Sequence, residues 1–122
     1  LIGVGRNIKR SMIDVQERIK KMYPQTYAEF EKIQDEQKKL FCQKQLDYGP
    51  GNISVGTQLK TQKEREFSLQ GLWFRINDKI QRLLNLFINQ TDPENESIED
   101  SFLDLGNYSI ISLIVKRGKW GK

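Results

Sequence analysis

The sequence predicts an all-α fold: a compact bundle of about four helices, with one long glycine-containing loop between the second and third. Three observations carry this. Apolar side chains recur at helical spacing over most of the chain. Signatures of helix starts and stops punctuate it, and no segment combines alternating patterning with the turn chemistry of a sheet. The 122 residues, 37% hydrophobic and 30% charged, suit one globular core with a well-solvated surface, so a single domain over 1–122 is expected.

The first helix is expected over about 7–22, from Ile8, Met12, Val15, Ile19 and Met22, with Pro24 ending it. Thr26 followed by Glu29 has the form of a capping box. It predicts a second helix to about Leu46 with an apolar stripe of Tyr27, Phe30, Ile33, Leu40 and Phe41. Between 47 and 62 the glycines and Pro50 predict a turn and a loop, in which Ile53 and Val55 allow a short extended piece.

Residues 67–89 read as a long core helix through Leu72, Ile76, Ile80, Leu83 and Phe87. Asp92-Pro93 breaks it, and Ser97 with Asp100 opens a fourth helix over about 97–115. Beyond Leu105 that helix is apolar almost all round, which places it in the middle of the bundle. One domain of this length covers such a helix poorly, so a homodimer is expected. The basic, glycine-containing stretch 115–122 is expected to be a loose tail.

Composition narrows the chemistry. With no histidine, neither Ser-His-Asp nor Cys-His machinery is available. The single cysteine, Cys42, excludes an internal disulfide framework and a cysteine-rich zinc site. A metal would need oxygen ligands, hence magnesium, manganese or calcium. No run of residues has the length and apolarity of a membrane span, and the segment 1–10 lacks the apolar core of a signal peptide, so a cytoplasmic location is expected. The net charge of +4 is unevenly spread: every charged residue from Asp92 to Asp104 is acidic, while 75–82 is mainly basic. A charge this modest makes direct nucleic-acid binding an unfavoured expectation.

Three polar sets interrupt the apolar faces. On the fourth helix, Asp100, Asp104 and Asn107 share one face, and stacked carboxylates there call for a compensating cation, a metal or a basic side chain. Asp100 also fits the ordinary role of a first-turn acid. On the third helix, Arg75, Lys79 and Arg82 form a stripe suited to phosphate oxygens, with Asp78 beside it, although Asp78 and Arg82 also suit a surface ion pair. Where the second helix ends, Lys44, Asp47, Tyr48, Gly49 and Asn52 offer a close backbone approach and a ring for stacking. A glycine C-cap explains that turn equally well.

These blocks, Phe41-x-x-Lys44-x-x-Asp47-Tyr48-Gly49, Arg75-x-x-Asp78-Lys79-x-x-Arg82-Leu83 and Asp100-x-x-x-Asp104-x-x-Asn107-Tyr108, resemble the first nucleotide-modification-associated domain family, small helical proteins of phages and mobile elements. The resemblance runs from about 26 to 115 and implies nucleotide metabolism or DNA-base modification. A more distant similarity is to the all-α nucleoside triphosphate pyrophosphatases. It implies magnesium on Asp100 and Asp104, with Asp78 as a further ligand, and phosphates on Arg75, Lys79 and Arg82. The chain departs from those enzymes in lacking a Glu-Glu-x-x-Glu block on an earlier helix. A non-catalytic binder of a nucleotide or cyclic nucleotide signal, and a helical interaction module, are therefore the alternatives.

Overall fold

The computed structural model describes residues 2–90, 92–94 and 96–122, and the surroundings of side chains from residue 11 onward. Among these it is all-helical. The elements are α1 (Ile2–Met22), α2 (Pro24–Tyr48), α3 (Gly51–Ser54), α4 (Gln62–Asn89) and α5 (Ile98–Lys116). Two compact units divide the chain, 1–38 and 39–122. No helix among the described residues is long and apolar enough to cross a membrane.

In the first unit the helical hydrogen bonding runs through the junction of α1 and α2: Tyr23 N–H donates to the Ile19 carbonyl at 2.8 Å and Tyr27 N–H to the Tyr23 carbonyl at 3.0 Å. Pro24 is the first residue of α2; its fixed φ suits the helix, and its missing N–H removes one bond from the run at the junction. Thr26 and Glu29 thus lie inside the helix, not at its cap. From 11 to 38 no residue is buried, and only Tyr27 and Gln37 are even half-buried.

The second unit holds the core. α4 packs along α5, and α3 sits against α4. Ile53, Leu59, Leu72, Ile111, Val115 and Trp120 form the buried cluster, with Phe41, Leu69, Tyr108 and Ile114 packed on it. The segment expected to be a loop instead contains α3, which seats Ile53 in the core. Ser68, fully buried on α4, fixes it by donating to the Ile53 carbonyl at 2.5 Å. A four-residue helix has too few positions to show a period. Val55 closes α3 in the left-handed region, φ 54, an uncommon conformation for a β-branched residue.

α4 starts five residues before the expected Phe67 because Thr61 and Glu64 form a full capping box. Thr61 Oγ1 accepts from Glu64 N–H at 3.1 Å while Glu64 Oε1 accepts from Thr61 N–H at 3.1 Å. α5 opens as expected on Ser97, whose Oγ accepts from Asp100 N–H at 3.0 Å. It is not covered on all sides: Phe102, Ile110 and Leu113 are exposed.

The tail is not loose. Gly118, φ 71, forms a Schellman turn in which Gly118 N–H donates to Val115 O and Lys119 N–H to Ile114 O, both at 3.0 Å. The turn delivers Trp120 into the core, edge-on to Phe41 at 6.1 Å, with its indole N–H donating to the Pro50 carbonyl at 3.1 Å. An indole that is both packed and hydrogen-bonded outweighs the polar composition of the segment.

Candidate functional site

Within the second unit the end of α2, the α3 turn, α4 and α5 enclose an open cavity of about 200 Å3. Lys44 and Tyr48 come from α2, Asn52 from α3, Arg75 from α4, and Asp104, Asn107 and Tyr108 from α5. The sequence marked six of these seven as candidates. Tyr108, although inside the third block, was not singled out.

Each is positioned by ordinary chain chemistry. Gly49 ends α2 at φ 67, its N–H donating to the Gln45 carbonyl at 2.9 Å, so the glycine C-cap is realised and leaves Tyr48 exposed at the mouth. Arg75 reaches across to donate from Nη2 to the Asn52 carbonyl at 3.0 Å, which ties α4 to α3. A guanidinium carries five N–H groups, so this bond leaves donor capacity. Asn52 Oδ1 is buried and has no hydrogen-bond partner, an arrangement that costs free energy unless a donor arrives.

Asp104 is the electrostatic centre. It and Asn107 are buried on α5, and the compensating cations are lysines from two other helices. Lys44 Nζ lies 2.8 Å from Oδ1, and Lys79 Nζ 3.1 Å from Oδ2. Burial alone pushes the Asp104 carboxyl up, but hydrogen bonds from Lys44 and Lys79, helped by their charges, outweigh it and hold the group below the usual carboxylate value. For Lys79, burial pulls the ammonium down. Hydrogen bonds and attraction to Glu96 and Asp104 more than reverse that and hold it above its ordinary value. Lys79 reaches both Glu96 oxygens, at 2.9 and 2.8 Å.

Arg82 stands behind this network. Nη1 donates to Ser101 Oγ at 2.6 Å and Nη2 to the Glu96 carbonyl. Lys79 and Arg82 therefore brace α4 against the start of α5 and do not line the cavity. Asp47, Asp78 and Asp100 are exposed and do not line it either. Asp100 lies in the first turn of α5, the ordinary acidic position open to it from sequence, and its backbone N–H donates to Ser97 Oγ. Among the described residues no three Asp, Glu or Cys side chains gather as a metal ion would require. The proposed magnesium set does not fit as a group, since both Asp104 oxygens already face ammonium groups.

Sequence reasoning did not single out Glu96 and Ser101. Their only signals are a carboxylate directly before an N-cap serine and a small polar residue on an apolar face. Neither says which cation arrives, because that depends on how α4 and α5 pack. No protein-family model, curated protein or solved structure matches this chain.

Proposed function

We propose that the cavity binds a phosphorylated nucleotide and that its work is recognition rather than hydrolysis. The carrying observation is the buried, unpartnered Asn52 Oδ1 in a cavity that also presents Arg75 and Lys44. A nucleobase edge supplies the missing N–H donor, and the guanidinium and ammonium groups suit phosphate oxygens. Tyr48 and Tyr108 offer rings against which a planar base stacks. The charged residues that line the cavity are Lys44, Arg75 and Asp104, two cations to one carboxylate, a balance that suits an anion. The volume lies below the roughly 300–1,000 Å3 of drug-sized pockets and admits one ring system, with the phosphate at the open mouth.

The charge on Asp104 favours binding over metal-dependent hydrolysis. A carboxylate neutralised by two lysines is a poor ligand for magnesium, and Asp78 and Asp100 lie outside the cavity. The setting inferred from the three sequence blocks is nucleotide metabolism or DNA-base modification of phage type.

Calorimetry with nucleoside mono- and triphosphates, each with magnesium and with chelator, tests the reading. The expected result is binding of similar strength in both conditions that weakens at least tenfold in Asn52→Leu. No binding at millimolar nucleotide overturns the proposal. Binding abolished by chelator, with turnover lost in Asp104→Asn, replaces it with the metal-dependent phosphohydrolase.

A further inference from the structure

The first unit poses a separate question. From Met12 to Ile33 it is a run of helix whose apolar side chains, Tyr27 apart, are in water: Met12 is 58% exposed, Val15 49%, Ile19 41%, Met22 58%, Phe30 63% and Ile33 41%. In proteins helical stability comes chiefly from packing an amphipathic face, and from 11 to 38 no residue is buried. Some partner must therefore cover these side chains.

The order of the side chains indicates which partner. On either side of the adjacent Met22 and Tyr23 the positions step by three, four and three, counting Thr26, which is the local spacing of a coiled-coil seam. The spacing is also palindromic about the Met22–Tyr23 bond. Counting outward, Met22 mirrors Tyr23, Val15 mirrors Phe30, and Met12 mirrors Ile33. Ile19 mirrors Thr26, whose methyl still fills a layer. A seam that reads the same from both ends is what an isologous two-fold contact uses, because residue i of one copy meets residue j of the other and j meets i.

The charges follow the same symmetry. α1 from Arg18 to Lys21 is basic, whereas from Glu29 to Glu36 the acids outnumber the single Lys32. Parallel pairing of two copies sets like against like. Antiparallel pairing sets the basic end of one copy against the acidic end of the other, and on the flank of the seam it brings Arg18 opposite Glu29 of the second copy, twice per dimer.

We propose that this chain self-associates through residues 12–33 as an antiparallel, two-fold symmetric helix pair centred on Met22 and Tyr23. The occupant of the exposed seam is a second copy of the same chain. This surface differs from the apolar fourth helix from which the sequence predicted a homodimer, and it is independent of the nucleotide cavity.

Sedimentation equilibrium of the full chain from 1 to 200 µM tests it, with helicity followed by circular dichroism. The wild type is expected to pass from monomer to dimer in that range. Arg18→Glu and Glu29→Arg are each expected to weaken dimerisation about tenfold, since two attractive contacts become repulsive. The double variant Arg18→Glu/Glu29→Arg is expected to restore it. Ile19→Asp, which places a charge in the seam, is expected to leave a monomer. A wild type that stays monomeric throughout overturns the proposal. So does a dimer indifferent to Ile19→Asp, which would place the contact elsewhere, such as the exposed side chains of α4 and α5. Failure of the double variant to recover overturns the antiparallel arrangement.

Discussion

The two units of the chain handle polarity in opposite ways. Residues 11–38 leave Met12, Phe30 and Ile33 in water and bury nothing, whereas residues 39–122 bury Ser68, Ser101, Asp104 and Asn107 alongside Leu72 and Val115. The contrast teaches what each unit is built to meet. Burying a carboxylate is tolerated only where cations from other elements arrive with good geometry, so the second unit is over-determined by its own contacts. Exposing a regular apolar face is the mark of a surface that a partner covers, which is the basis of the self-association proposed for the first unit.

Substitutions in the two units should therefore differ sharply in effect. The largest is expected for Trp120→Ala, which removes the packed ring, its edge contact with Phe41 and the bond to Pro50. We expect a loss of about 3–5 kcal/mol in denaturant unfolding of the full chain. Asp104→Ala leaves Lys79 with one carboxylate partner fewer and should cost about 2–3 kcal/mol, read from the same midpoints. A cost below 0.5 kcal/mol for either variant breaks the comparison.

Acid provides a milder version of the Asp104 test. Its carboxyl is held below the usual value in the folded state, so its contribution to stability is complete above about pH 4 and is lost as pH falls through the lower folded value. Lys79, held above its ordinary value, contributes fully below about pH 10.5 and loses its part only in stronger alkali. The melting temperature should accordingly fall below pH 4, and Asp104→Asn should flatten that limb. Gly118→Ala, forcing a side chain into the left-handed region, is expected to cost about 1 kcal/mol. The smallest effect is expected in the first unit. Ile13, 63% exposed and off the seam, should change stability by less than about 0.5 kcal/mol on substitution to Gln.

What the sequence made legible follows the reach of each signal. Local signals were readable: Ser97 capped α5 where expected, and Gly49 closed α2. Thr61 with Glu64 carried the same kind of signature, and reading the apolar period alone placed the start of α4 too late. Asp104 and Asn107 stood out because two polar groups on so apolar a helix demand partners, and they are buried at the cavity. The identity of the partners was not readable. Lys79 and Arg82 have the spacing of a phosphate grip, yet the packing of α4 on α5 brings Glu96 and Ser101 within their reach first. The tail was misjudged because composition weighs every residue equally, while one indole with a core slot and a carbonyl acceptor decides the outcome.

That indole links the 115–122 segment to the cavity proposed to bind a nucleotide. Trp120 holds the carbonyl of Pro50, two residues before Asn52, so the wall bearing the unpartnered oxygen is latched from seventy positions downstream. A tryptic cut after the exposed Lys119 would release the latch without touching a cavity residue. Limited digestion should then abolish ligand uptake at the first, barely visible change in mass, and saturating ligand should protect that bond.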